Sequence, residues 1–178
     1  MEPLEIADKI KEKFSGGVLN ISSFRNQVSV TIKKEFLLSI CNYLKKDKEL
    51  SFDYLSDLCG CDYPDRHERF EVVYNIRSIK HNHFIRIKVR LSQKDPVIES
   101  VTPIWKAADW FEREVYDMFG IRFKSHPDLR RILLPDDWEG NPLKKDYPLK
   151  GREEDWKGME RVKELRKYDK HWSIHEEE

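Results

Sequence analysis

The sequence predicts an α+β fold. A mostly antiparallel sheet carries helices packed on one face, and an extended irregular C-terminal arm follows and ends in a helix. Three observations lead there. The strand-like segments alternate strictly between apolar and polar residues, so one face of each is polar. The elements run helix, strand, strand, helix and then several strands, not in alternating βαβ units. From about residue 124 helical and strand periods both fade, while large apolar residues continue.

In order, Leu4, Ala7, Ile10, Lys11 and Phe14 follow a helical period, with Pro3 at a tolerated first-turn position and Ser15-Gly16-Gly17 as the stop. Val18 to Ile21 reads as a short strand. Val28, Val30 and Ile32 alternate with Gln27, Ser29 and Thr31 after a turn at Arg25-Asn26. Phe36, Leu37, Ile40, Cys41 and Leu44 return to helical spacing, and a charged turn spans 45–49. Leu50, Phe52 and Tyr54 alternate, predicting a strand that leads into Leu58. Phe70, Val72, Tyr74 and Ile76, then Ile85, Ile87, Val89 and Leu91, form an alternating pair with a hairpin turn at 80–83. Val97 to Val101 reads as a strand, and Thr102-Pro103 as the N-cap and first residue of the next helix. After Phe123 regularity is lost until 152–168. There Trp156, Met159, Val162, Leu165 and Tyr168 give a narrow helical stripe that needs docking for stability. The expected division is a domain over 1–123 and an arm over 124–178.

Lys+Arg and Asp+Glu are both 33, and a net charge of zero argues against non-specific nucleic-acid binding, which needs a basic excess. Charged residues make up 37% of the chain but are mixed in sign, so disorder is not implied. Abundant Lys and Glu with Gln only at Gln27 and Gln93 is the composition of heat-adapted proteins. No apolar stretch is long enough to span a bilayer, and the charged N-terminus lacks the apolar core of a secretory signal. Cys41, Cys59 and Cys61, odd in number, fit free structural thiols in a reducing compartment.

Motifs for cofactors are missing. Cys59-Gly60-Cys61 lacks the second pair that a zinc or iron–sulfur site needs. The six histidines show no Glu-x-x-His spacing, and His81 and His83 fall in a turn expected to face solvent. There is no Gly-x-Gly-x-x-Gly and no phosphate loop. The acidic helix is richer. At 100° per residue Ala107, Trp110, Phe111, Val115 and Met118 form a stripe, and Glu114 falls inside it. A carboxylate there has to be paired or protonated. Arg130 and Arg131 are its nearest partners in sequence, while Arg113 and Asp117, four apart, can pair on the flank. Three readings stand: a structural ion pair that pins the irregular segment, an acid–base or proton-relay carboxylate, and contact with a partner protein.

The irregular segment cannot build a core, yet it is too apolar for a solvated linker. Its anchors point to association. His126, Asp128, Leu129, Leu133, Trp138, Leu143, Tyr147, Leu149 and Trp156 are the expected partner-binding residues, aromatic side chains being typical carriers of interface energy. The competing class is a small enzyme using Glu114, Asp117 and His126 in acid–base work, which requires that they converge in a pocket.

Glu112-Arg113-Glu114-x-x-Asp117-Met118-Phe119-Gly120-Ile121, then His126-Pro127-Asp128-Leu129-x-Arg131-Ile132-Leu133, resembles the signature of the 30-kDa subunit family of NADH:quinone oxidoreductase (respiratory complex I). Trp138-Glu139-Gly140-x-Pro142-Leu143-Lys144-Lys145-Asp146-Tyr147-Pro148-Leu149 resembles its second block. Phe52 to Leu58 and Asp62-Tyr63-Pro64 are also similar, so the likeness covers most of the chain. It is weakest in the first 30 residues and after about Arg152. The resemblance implies an α/β domain with a long C-terminal arm and with no flavin, iron–sulfur cluster, quinone or catalytic residue of its own. It also implies a place in the peripheral arm on the cytoplasmic side of the membrane, holding and wrapping the quinone-pocket subunit beside other peripheral-arm subunits. The parent complex would pass electrons from NADH through FMN and iron–sulfur clusters to quinone and drive ion translocation. Relatives with the same block serve membrane-bound hydrogenases, formate hydrogenlyase and other donor dehydrogenases, and that alternative stays open at this point.

Overall fold

The computed structural model describes residues 1–148. The helix expected over 152–168 and the anchors Leu149 and Trp156 lie outside the described residues. Contacts divide the chain between Tyr147 and Pro148, later than the boundary expected after residue 123.

Helix α1 (Pro3–Lys13) opens with a capping box, in which the Glu5 carboxylate accepts the Glu2 N–H at 2.9 Å. Strands β1 (Val18–Phe24) and β2 (Gln27–Ile32) form a hairpin. Its turn residues Arg25 and Asn26 have φ of 50° and 62°, the pair of positive values that matches strand twist. After a 3-10 turn comes helix α2 (Leu37–Lys46), then strands β3 (Tyr54–Asp62), β4 (Phe70–Ser78), β5 (His83–Leu91) and β6 (Val97–Glu99). Helix α3 (Ala108–Phe119) and strand β7 (Arg122–Lys124) close the regular part.

The main sheet has the order β1-β2-β5-β4-β3. Helix α2 carries the chain from β2 to the far edge, and the β3-β4-β5 meander returns to lie beside β2. That makes β2–β5 the one parallel pair of this sheet; the other pairs are antiparallel. Alternation puts Val28, Val30, Ile32, Val72, Tyr74, Ile76, Ile85, Ile87 and Val89 on one face, all buried. Helices α1 and α2 deliver Ile6, Ala7, Ile10, Leu37, Ile40, Cys41 and Leu44 to the same core. Helix α3 packs there too, because Gly60 of β3 pairs with the inward Val72 and lies against the Phe119 ring. The α+β, mainly antiparallel expectation therefore holds, with helices α1, α2 and α3 on one face.

Four local expectations differ. Leu50 and Phe52 are fully buried but precede β3; their alternation records burial, while the backbone turns. Asp47 Oδ1 accepts the N–H groups of Glu49 and Leu50, and the Phe52 N–H donates back to Leu44 O at 2.9 Å. Thr102-Pro103 does not start α3, which begins at Ala108. The Thr102 hydroxyl is already bonded to Ser100 Oγ at 2.7 Å, and residues 101–107 form turns that bury Val101, Ile104 and Trp105. His81 and His83 are half-buried, stacked at 5.3 Å, with His83 against Phe52. Strand β7, too short for a period to show, pairs in parallel with β6 as a second sheet.

The α3–β3 contact leaves no room at Gly60, where a Cβ would sit 2.7 Å from Phe119 Cδ2. Gly60→Val is expected to destabilise by about 1–3 kcal/mol despite the better strand propensity of Val. Urea midpoints check this, and adding Phe119→Leu should return part of the loss.

Candidate functional site

Helix α3 has two buried sides. Ala108, Glu112, Val115 and Phe119 lie at helical spacing and face the sheet. Asp117 lies about 180° from Ala108 around the axis, yet its side chain is 0% exposed. The irregular segment after β7 covers it.

Asp117 holds that segment. Its Oδ2 accepts three consecutive backbone N–H groups, Ile132 at 3.1 Å and Leu133 and Leu134 at 2.9 Å each. Its Oδ1 takes Arg131 Nη1 at 2.6 Å. Successive N–H groups of this kind form an anion nest. Burial alone would raise the Asp117 carboxyl, but the backbone donors and the Arg131 guanidinium outweigh it and hold it below the usual carboxylate range. Arg131 also donates to Trp138 O at 2.9 Å and Gly140 O at 3.3 Å. One turn earlier on α3, Arg113 donates to the carbonyls of Arg130 and Arg131 at 3.2 and 3.1 Å.

The segment in turn caps the helix. Gly120 ends α3 at φ 71°, its N–H donating to Tyr116 O at 2.8 Å. Asn141 Nδ2 donates to Asp117 O at 3.0 Å and the Leu143 N–H to Met118 O at 3.1 Å. These are carbonyls that a helix end leaves without partners. A Cβ at Gly120 would lie 2.6 Å from Asn141 Oδ1, so glycine is required by conformation and by contact.

A second latch lies farther along. Arg69, between β3 and β4, grips Asp62 through two bonds of 2.6 and 2.7 Å and Asp146 through a third of 2.9 Å. Asp62 also accepts the Lys145 N–H at 2.7 Å. The Arg69 bonds hold both carboxyls below their ordinary range.

On the sheet side of α3, Glu112 is completely buried. Its Oε1 accepts the Val101 N–H at 2.7 Å, while Oε2 has no hydrogen-bond partner among the described residues. His126 Nε2 lies 3.9 Å from Oε2. His126 Nδ1 accepts the Asp128 N–H at 3.0 Å, so Nε2 carries the proton and donates to Asp109 O at 3.2 Å. Burial pushes the Glu112 carboxyl up to about 7. Bonds from Ser100 and Val101 oppose the shift, and Asp109 adds to it.

The family described as "Respiratory-chain NADH dehydrogenase, 30 Kd subunit" matches residues 30–153. Among similar proteins, the corresponding NADH-quinone oxidoreductase subunit of Citrifermentans bemidjiense is 47% identical over 84% of this chain and 92% of its own length. That of Roseiflexus castenholzii is 44% identical over 82% and 83%. This chain belongs to that family. It is the 30-kDa-type subunit of NADH-quinone oxidoreductase, in the peripheral arm of complex I. Of solved structures, "Nqo5 of the trypsin-resistant fragment (1-134)" is 34% identical, with a TM-score of 0.57 over 72% of this chain and all of that one. A chain of the membrane-bound sulfane sulfur reductase, an archaeal respiratory membrane complex, shares the fold at 19% identity, with a TM-score of 0.69 over 100% of this chain and 95% of that one.

In this 30-kDa-type subunit the expected ion pair is differently composed. Glu114 is exposed, and the buried acids of α3 are Glu112 and Asp117. The expected stripe is rotated from the real one because it takes Trp110 inside; Trp110 is 66% exposed, and Ala107 lies at the surface. Arg131 pairs with Asp117, not Glu114, and Arg113 bonds carbonyls, not Asp117. Arg130 meets Asp128 on the surface at 2.9 Å. Glu114, Asp117 and His126 do not form a common set. Asp117 is saturated by the segment, and His126 bonds Asp109 and Asp128. Of the anchors, Leu129 packs on the core, Trp138 and Tyr147 are half-buried, Asp128 is at the surface, and Leu133 and Leu143 are 62% and 50% exposed. The Arg69–Asp62–Asp146 latch has no signal in the sequence, since period says nothing of partners 77 residues apart.

Asp117→Ala should cost about 3–5 kcal/mol, since it strands a partly buried guanidinium and three covered N–H groups, while Glu114→Ala should change stability by less than about 0.5 kcal/mol. Chemical denaturation measures both, and an Asp117/Arg131 double-mutant cycle should give coupling above about 1 kcal/mol. For Glu112 the folded carboxyl titrates above its unfolded value. The folded state therefore binds more protons between about pH 4.5 and 7, and stability falls as pH rises through that window. Glu112→Gln should remove this decline, a difference of roughly 3 kcal/mol in full. Parallel denaturation profiles of variant and wild type from pH 5 to 8 would contradict it.

Proposed function

We propose that this chain is a non-catalytic structural and assembly subunit. It holds the quinone-pocket subunit, beside other peripheral-arm subunits, on the cytoplasmic side of the membrane. FMN, iron–sulfur clusters and quinone are then carried by other subunits. The observation that supports this best is the latched segment over 126–147. Buried charges bind its backbone to α3 and β3, while Leu133 and Leu143 stay outward, and Trp110 stands exposed beside Arg113. Apolar side chains kept at the surface by so much buried polar bonding suit docking to another protein. Asp117, one of the acids that acid–base work would need, has both oxygens occupied by the segment. Among the described residues no helix is long and apolar enough to cross a membrane, which fits attachment through partners. In this reading the residues beyond Tyr147, including Leu149 and Trp156, wrap the neighbour as an arm.

The test is assembly. Leu133→Asp and Leu143→Asp should leave the urea midpoint of the isolated chain within about 0.5 kcal/mol of wild type, because both side chains are at the surface. The same variants should fail to co-purify with the membrane complex. Normal assembly together with lost quinone reduction would instead favour a chemical role. In limited trypsin digestion of the free chain, cleavage is expected first at the basic residues beyond Tyr147, such as Lys150 and Arg152, leaving the unit that ends at Tyr147.

A further inference from the structure

We propose that Cys59 and Cys61, on the face of the sheet opposite the helices, form a reversible dithiol–disulfide site that reacts with low-molecular-weight disulfides bearing carboxylates, of the glutathione kind. Four observations carry it. The two cysteines alternate on β3 in regular register, Cys59 opposite Val73 and Cys61 opposite Glu71, so both sulfurs leave the strand on the same side. Helices α1, α2 and α3 lie on the other face, where Gly60, between the two cysteines, meets Phe119. Both thiols are only half-buried, whereas Cys41 is fully buried. Strand β3 is an edge, paired on one side only, so it can pucker without breaking a second ladder.

Alternate residues of a strand have Cα atoms about 6.6–6.8 Å apart, at the upper end of the range a disulfide spans. The bridge can therefore close with small backbone movement, under strain. Strained disulfides have the higher reduction potentials of labile bonds, not the low ones of structural bonds. The two sulfurs are unequal. The neighbouring Cys59 thiol, the largest influence, pulls Cys61 down to about 6, against burial and Glu71, with help from Tyr63 and Lys88. Cys59 is raised by its interaction with Cys61, by burial and by Asp57. Lys88, Arg90 and Arg66 surround Glu71 at 3.4, 3.5 and 3.8 Å, so that even with Asp57 beside Cys59 the cations outnumber the acids next to the two thiols.

The step balances. The Cys61 thiolate attacks one sulfur of the small disulfide, forming a mixed disulfide and releasing one thiolate. Cys59 then loses its proton to solvent, and its sulfur attacks Cys61 and expels the second thiolate. The protein loses two electrons and gains one S–S bond, and the small disulfide is reduced to two thiols.

The experiment uses the reduced full chain with oxidised glutathione at pH 6, followed by acid quenching, alkylation in denaturant and intact mass. At that pH the excess thiolate of Cys61 outweighs its lower intrinsic nucleophilicity, so it should react roughly tenfold faster than an ordinary exposed thiol. Wild type should end with one internal disulfide and one alkylatable thiol, Cys41, and excess reduced glutathione should restore all three. Cys59→Ser should stop at a persistent mixed disulfide, and Cys61→Ser should lose the fast reaction. An end state with two mixed disulfides, no internal bridge in wild type, or a reaction no faster than that of the urea-unfolded chain would overturn the proposal.

Discussion

The buried carboxylate of Asp117 is the constraint on which the second half of this structure depends. A side chain with no exposure and a full negative charge needs several donors, and one ion pair would not compensate for its lost hydration. Here the donors are Arg131 and three successive backbone N–H groups. Because those N–H groups are consecutive, the charge also fixes the backbone of residues 132–134. Arg131 then extends the order to Trp138 and Gly140. A single acid thus sets the path of a chain segment with neither helical nor strand hydrogen bonding of its own.

The other buried acid of the same helix is handled in the opposite way. Glu112 receives one backbone bond and leaves its second oxygen without a hydrogen-bond partner among the described residues, with His126 just beyond bonding distance. With few donors, burial dominates and the proton is retained toward neutrality. Asp117 is held ionised by its surroundings and Glu112 is pushed toward its acid form, although they lie five residues apart. The difference comes from the second layer. The segment over the outer side of α3 brings backbone donors, while the sheet side brings mostly apolar surface.

Those two layers explain what can be read from the chain. The strands are legible because period 2 survives wherever one face is buried, as in Val72-Tyr74-Ile76 and Ile85-Ile87-Val89. The loop holding Leu50 and Phe52 and the turns at 101–107 mislead a reading by period, because burial there goes with irregular backbone. In α3 an apolar-stripe argument assumes one buried side. With two, Trp110 lies on the same outer side as Asp117, about two turns earlier and exposed, and a stripe drawn through it buries Glu114 in place of Glu112. That a carboxylate of this helix pins the irregular segment through an arginine is readable from the sequence. Which carboxylate is not, because the choice depends on donors supplied from residues 131–134.

An irregular segment packed on a domain faces a general difficulty, since every covered N–H and C=O must find a partner. Here the two ends of the problem solve each other. The last turn of α3 has orphan carbonyls at Asp117 and Met118, and the segment supplies donors at Asn141 and Leu143. The segment has orphan N–H groups at 132–134 and carbonyls at 130 and 131, and α3 supplies Asp117 and Arg113. Gly120 makes the exchange possible by turning the chain at positive φ and leaving space for Asn141. Side chains are then not required for cohesion at every position of the segment. Leu133 can point outward because its backbone N–H, and not its side chain, is what ties it to the helix. The same bonds that make the segment part of the compact unit thus leave its apolar side chains free for whatever covers them.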